Sequence, residues 1–329
     1  MRGIFQNSMN YRRLASLLVV LGVAAGTFFG MANAQTPGGS GLQISPTRTE
    51  LSINPGEAKD FSLTVRNVTR GDVTIDTFLN DFKAGEGGEP KLIVDKRGRE
   101  PSSLEPYLRG IQSFGLKAGE SKEVKLSLDF PPDTGAGAYY GAVRFVALPK
   151  GAERSTTERQ VALNASVASL VLVQLEGNIT ESIQVEKVEV RRENKPASFF
   201  TSKPNKLAIA IQNKGNGFSK PFGNVQVLGM NGSQVYSYEL NNKDPRGNIL
   251  PQSSRAFVDD IKGIKSPGRY TVVANVAHGS GGEVITQKVS FWYVPFWLII
   301  VLLLLLAAIG FLVYKFVRRG GKTRKVRKF

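Results

Sequence analysis

The chain has 329 residues, 41% of them hydrophobic, with 43 Lys and Arg against 27 Asp and Glu, a net charge of +16 and no cysteine. The absence of cysteine excludes disulfides, thiolate-bound zinc, thiol chemistry and an acylated-cysteine anchor. The charge does not point to nucleic acid. Eight basic residues sit in the last fifteen positions and three in the first 34, with no acid in either segment, so the remainder carries a surplus of only five.

In chain order, Arg2, Arg12 and Arg13 precede an apolar segment from Leu14 to Met31, and Ala32-Asn33-Ala34 places small residues where a signal peptidase reads them. Residues 1–34 are therefore expected to be a signal peptide cleaved before Gln35, with an uncleaved signal anchor as the alternative. Residues 35–41 form a short flexible lead-in.

From there apolar and polar residues alternate, and no long segment shows helical periodicity. Phe61, Leu63 and Val65 share one parity, as do Val124, Leu126, Leu128 and Phe130, and again Tyr139, Val143 and Phe145. A period of two predicts half-buried antiparallel strands, and the Gly, Pro, Asn and Asp clusters between them suit sandwich turns. Pro55 to Leu63 and Ala118 to Leu126 repeat a Gly-Glu turn feeding a strand. We read these as two similar hairpin turns within one domain rather than a duplicated domain. Pro101 to Leu108 could make one short helical turn. Val161 to Leu175 is an apolar, β-branched run that closes a first sandwich, residues 42–176.

Residues 177–182 read as a linker, and a second sandwich spans 183–293. Val185 and Val188 differ in parity, which predicts a bulge between them. Asn213 to Gly217 is a tight turn, and Leu207, Ile209 and Ile211 alternate cleanly.

Residues 294–314 carry no charge and would span roughly 31 Å as a helix, enough to cross a bilayer. Trp292, Tyr293, Trp297 and Tyr314 are placed to act as membrane-interface anchors. Lys315, Arg318, Arg319, Lys322, Arg324, Lys325, Arg327 and Lys328 make residues 315–329 a basic tail that should stay in the cytoplasm, leaving the bulk of the chain outside. The fold class expected is all-β: two tandem immunoglobulin-like β-sandwiches and one C-terminal transmembrane α-helix.

Chemistry is sparse. His278 is the sole histidine, in a predicted hairpin tip, and reads as a solvated loop residue; no metal or other cofactor is expected. Asp72, Asp76, Asp81, Glu86 and Glu89 lack the spacing of a calcium loop. The better binding candidate is Tyr140 with Arg144, which share the outer face of one strand if Tyr139 faces inward; the alternative, and the preferred reading, is that domain packing or a covering loop buries Tyr140. Sequons stand at Asn67, Asn164, Asn178 and Asn231.

The order Pro55-Gly56-Glu57, Asn67, Gly119-Glu120-Ser121, Pro131-Pro132, then Gly137, Gly141 and Phe145 resembles the first domain of the WxL-interacting proteins of Gram-positive surfaces. The resemblance covers residues 42–176 by motif and the rest by layout. It implies peptidoglycan binding by the first domain and partner or host binding by the second, hence a non-catalytic cell-surface attachment or adhesion protein. The same turn motifs recur in periplasmic pilus chaperones. The alternative is therefore an extracytoplasmic assembly subunit that binds exported proteins by strand addition.

Overall fold

The computed structural model describes residues 41–94, 100–149, 166–279 and 283–320. The leader with Ala32-Asn33-Ala34, Asn164, and the tail from Lys322 through Arg324, Lys325, Arg327 and Lys328 lie outside them, as does the side chain of Arg319.

The first sandwich contains β1 (Leu42–Ser45), β2 (Arg48–Ile53), β3 (Ala58–Asn67), β4 (Val73–Asn80), β5 (Phe82–Ala84), β6 (Pro90–Leu92), β7 (Leu108–Arg109), β8 (Phe114–Leu116), β9 (Ser121–Asp129), β10 (Gly137–Pro149) and β11 (Ser166–Leu175). One sheet runs β1-β3-β9-β7 and faces a second in the order β2-β11-β10-β4-β8. The alternating residues read from the sequence point between them: Leu63, Val65, Val124, Leu126, Leu128, Phe130, Val143 and Phe145 are all buried in one core. The opening stretch of the domain is shared by both sheets, β1 pairing with β3 and β2 running parallel to β11. The two Gly-Glu turns lead into β3 and β9, adjacent antiparallel strands of one sheet. The stretch 101–108 makes turns, with a single helical-type bond from the Leu108 amide to the Leu104 carbonyl at 3.0 Å.

The second sandwich repeats this plan with β12 (Ile183–Arg192), β13 (Lys195–Pro196), β14 (Phe199–Phe200), β15 (Lys206–Asn213), β16 (Phe222–Leu228), β17 (Gln234–Leu240), β18 (Ser254–Asp260), β19 (Gly268–His278) and β20 (Glu283–Tyr293). Its sheets are β13-β12-β15-β18 and β14-β20-β19-β16-β17. Taken strand by strand, β12, β15 and β18 stand where β1, β3 and β9 stood, and β14-β20-β19-β16 where β2-β11-β10-β4 stood. The expected irregularity in β12 is present as a register shift between Val185 and Lys187.

Two side-chain devices recur at matching places. Asn67 ends β3 and Asn213 ends β15, both buried. Each accepts from the amide two residues on, Thr69 or Gly215, at 2.9 Å. Each donates to the carbonyl four residues on, Gly71 or Gly217, at 2.8 Å. Each also reaches across to a second segment, the Lys117 carbonyl at 3.0 Å or the Ile249 carbonyl at 3.1 Å. Likewise Tyr139 near the start of β10 donates to the Gly135 carbonyl at 2.8 Å, and Tyr270 near the start of β19 to the Ser266 carbonyl at 2.6 Å. A tyrosine that ties a strand to the connection before it is a feature of immunoglobulin-like sandwiches. Burial also removes Asn67 as a glycan acceptor.

Among the described residues there is one helix, α1 (Phe296–Gly320), which follows β20 after two residues. It begins two residues later than expected and runs on through Lys315 and Arg318. Phe296–Arg318 is long and apolar enough to cross a membrane, and its apolar window is wholly uncovered by the sandwiches. One expected anchor is corrected here. Tyr293 is only 7% exposed and belongs to the second core. The alternation of β20 continues to its last residue, so Phe291 and Tyr293 point inward and Trp292 outward. Trp292, Phe296 and Trp297 remain exposed at this end, and at the other end Tyr314 is exposed and accepts from Arg318 at 3.2 Å.

Asn67→Ala and Asn213→Ala should each cost about 2–4 kcal/mol, because both leave several buried backbone groups unpaired. Urea unfolding of the full chain, followed by intrinsic fluorescence, will measure both. Costs below about 0.5 kcal/mol would mean the asparagines do not hold the strand ends.

Candidate binding cleft and strand edge

The sheet β2-β11-β10-β4-β8 has one face in the first core and the other turned toward the second domain. On that outer face Ala142, Leu172 and Phe82 form a third apolar cluster with Leu250 of the second sandwich, flanked by Tyr140, Ala168, Leu170 and Phe218. The Tyr140 ring lies 5.1 Å from that of Phe82 and 6.2 Å from that of Phe218. Tyr140 is thus packed under the β5–β6 hairpin and the second domain instead of standing free. Arg144 is also engaged: its Nε donates to Asn80 Oδ1 at 2.9 Å and its guanidinium sits 5.0 Å from the Phe78 ring centre. Both residues share the outer face, as the parity argument required, and Tyr139 does pack against the first core.

Polar contacts border this seal. The Ala138 amide donates to the Asn216 carbonyl at 2.9 Å and the Phe218 amide to Gln174 Oε1 at 3.2 Å. Glu50 on β2 receives Lys220 at 2.5 Å and Asn248 at 3.3 Å, and pairs with Arg48. On the opposite flank the Glu86 carbonyl of the β5–β6 turn accepts from the Ala256 amide of β18 at 2.8 Å. Burial, with Arg48 next to it, pushes the Arg255 guanidinium below its usual range, opposed by Glu89. Between the domains remains a cleft of about 640 Å³, lined by Glu50, Gln174, Glu176, Lys220, Arg246 and Asn248 among others.

His278 departs from expectation. It closes β19 only 8% exposed, with Nδ1 4.0 Å from Glu181 Oε2 on the interdomain link. The loop signal around it is correct, but the link folds over it. The five acidic residues of 72–89 do not converge. Asp72 accepts from the Ala118 amide at 3.3 Å, Asp76 from Ser113 at 2.9 Å and Asp81 from the Glu100 amide at 3.4 Å. Among the described residues no group of three His, Asp or Glu is placed to hold a metal ion.

The strand edges differ in how they are protected. An open edge invites pairing with another chain, and proteins blunt such edges with charges, bulges or covering loops. The free side of β9 carries Lys122, Glu123 and Lys125, and that of β12 the bulge with Lys187 and Glu189. β18 is capped by Glu86, and β20 carries Glu283 and Lys288. Over β17 the connection 261–267 packs so closely that a Cβ on Gly263 would meet the Val235 carbonyl at 2.3 Å. β11 has none of these devices. It is ten residues long without a charged side chain, held on one side by β10 along its whole length. On the other side β2 pairs only with Leu170–Leu175, and the last bond is Leu170 amide to Thr47 carbonyl at 3.0 Å. The connection from β1 to β2 passes beside Ser169, which is buried and donates its hydroxyl to the Pro46 carbonyl at 2.8 Å. Only Ser166–Ala168 therefore have no hydrogen-bonded strand on that side among the described residues. By the alternation of backbone groups, Ala168 directs its N–H and C=O the same way as Leu170, toward the vacant side. Nothing in the local sequence marks this edge, because it is created by where β2 departs.

Fold and junction together define the class: an all-β protein of two tandem immunoglobulin-like sandwiches joined by an apolar seal and followed by one apolar helix. No protein-family model and no curated protein matches the chain. Among solved structures it is similar to the class 5 fimbriae chaperone CfaA, at 16% identity over 78% of this chain and 100% of that one, TM-score 0.36. It is also similar to a chain from a chaperone–tip adhesin complex of CFA/I fimbriae biogenesis, at 16% identity over 78% and 100%, TM-score 0.39. The E. coli chaperone DraB gives 15% identity over 76% and 96%, TM-score 0.32. Superpositions this loose leave function to be argued from the chain's own geometry.

The interdomain seal is testable. Phe218→Ala with Leu250→Ala removes two apolar side chains, each contributing roughly 1.5–3 kcal/mol when buried, and leaves both sandwich cores intact. Spin labels on Ser121→Cys and Lys288→Cys should give a broader distance distribution in this variant than in the otherwise native chain. An unchanged distribution would show that the polar border alone fixes the domains.

Proposed function

We propose that the chain is a membrane-anchored, non-catalytic binding protein of the cell envelope that holds an extended segment of another exported protein as an added strand along the start of β11. The observation that carries this reading is the uncharged stretch Ser166–Ala168, which among the described residues has no strand paired on the side away from β10. A segment laid there would hydrogen-bond to the outward N–H and C=O of Ala168, and its alternate side chains would fall beside the apolar side chains of Ala168 and Leu170. Main-chain bonds would supply affinity and the patch selectivity. The leader, the apolar helix and the basic tail support an extracytoplasmic position for both sandwiches.

The resemblance to WxL-interacting proteins favours a different partner, peptidoglycan. The candidate binding surface of Tyr140 and Arg144 lends that partner little support, since both side chains already serve internal contacts.

Ala168→Pro separates the two. It removes the outward amide and spares the β10 pairing, so the melting temperature should stay within a few degrees. The full chain in detergent, immobilised, should retain an exported protein that the Ala168→Pro chain loses, and neither should be held by purified wall sacculi. Retention on sacculi that is indifferent to Ala168→Pro would overturn strand addition in favour of wall attachment.

A further inference from the structure

The end of the second sandwich from which α1 leaves is built unlike the end at the domain junction. Three connections turn there, 193–205, 229–233 and 261–267. The first is bonded to the residues just before the helix. β14 runs parallel to the end of β20, with the Trp292 amide donating to the Ser198 carbonyl and the Val294 amide to the Phe200 carbonyl, both at 2.8 Å. Phe199, 52% exposed, therefore stands beside Trp292, 47% exposed. The second connection carries Met230 at its tip, 79% exposed. The third packs over the start of β17, next to the second, through Gly263 and the Val235 carbonyl.

The charge at this end is lopsided. Arg192, Lys195, Lys203, Lys262, Lys265 and Arg269 are all exposed, and Glu193 is the one acid in the three connections. Asp259 and Asp260 close β18 nearby, and Asp260 is paired with Lys206 at 3.5 Å. Exposed Phe and Met side chains ringed by amines suit a headgroup layer, where apolar groups enter the acyl boundary and amines meet phosphate. The apolar helix begins two residues beyond, so this face is continuous with whatever surrounds the helix.

We infer that this rim is a second lipid contact. With α1 in the bilayer, Phe199 and Met230 dip into the headgroup layer, and Lys195, Lys203, Lys262 and Lys265 bind the phosphates of anionic phospholipids. The inference rests on the membrane-anchored reading above, and its test keeps the two apart.

The chain lacks cysteine, so single labels are simple to place. Nitroxides at Met230→Cys, Lys214→Cys and Leu304→Cys would be compared in full-length protein in nanodiscs of phosphatidylcholine with or without phosphatidylglycerol. The label at Met230 should collide more with oxygen than with a soluble nickel chelate, and phosphatidylglycerol should strengthen that preference. The label at Lys214, at the junction end, should show the reverse preference in both lipids. Changing Lys195, Lys203, Lys262 and Lys265 together to Gln should abolish the response to phosphatidylglycerol. A Met230 label that behaves like the one at Lys214, or that ignores phosphatidylglycerol, overturns the rim contact. A label at Leu304 that proves accessible to the nickel chelate overturns the anchor itself.

Discussion

The structure depends on the apolar seal between its two sandwiches. Each sandwich has its own core and would be self-consistent alone. The outer face of β10 and β11 is a different matter, because Ala142, Leu172 and Tyr140 put apolar surface where a lone domain would meet water. Burying that surface under Phe82, Phe218 and Leu250 converts an aggregation hazard into a joint. The same packing walls off the interdomain cleft and, among the described residues, leaves the start of β11 as the end of the patch with no strand paired beside it. The residues that join the domains and those at the start of β11 belong to one continuous apolar strip.

The two sandwiches share a strand plan without sharing sequence, and the shared parts are those with narrow physical requirements. A strand that ends by handing its chain to a tight turn leaves buried amides and carbonyls unpaired, and one asparagine side chain, donor and acceptor together, can satisfy them. Asn67 and Asn213 meet that need with nearly the same distances. The tyrosines at 139 and 270 do the same for the strand opposite. Elsewhere any apolar residue of suitable size serves, which explains why the frameworks agree while the cores differ.

Much of this was legible in advance. Strand alternation located the core residues of β3, β9 and β10, the parity change between Val185 and Val188 located the bulge, and the charge-free run located the helix. What was not legible at Tyr140 and His278 has one cause. Parity says which way a side chain points, and it says nothing about what has been laid over that side by a segment distant in sequence. Tyr140 points outward, and the covering weighed for it is supplied by Phe82 and Phe218, which no local pattern identifies. His278 sits near a turn as inferred, and residue 181, almost a hundred positions earlier, folds against it. Tyr293 failed for another reason: the strand period and the aromatic belt competed for the same residue, and the strand won because helix formation starts only after Pro295. The open side of β11 had no local signature at all.

The short join to the helix gives these features mechanical consequence. A flexible linker of many residues would let the sandwiches tumble above the membrane, and the orientation of any strand edge would be lost. Here two residues separate β20 from α1, and the second of the bonds to β14 fixes Val294 itself. β20 is in turn paired along its whole length with β19, whose far end, at His278, meets the link to the first domain. A continuous path of strand pairing and apolar packing therefore runs from the helix, through the second sandwich and the seal, to β11. A load applied at the start of β11 would be carried along that path into the helix rather than taken up by a slack connection.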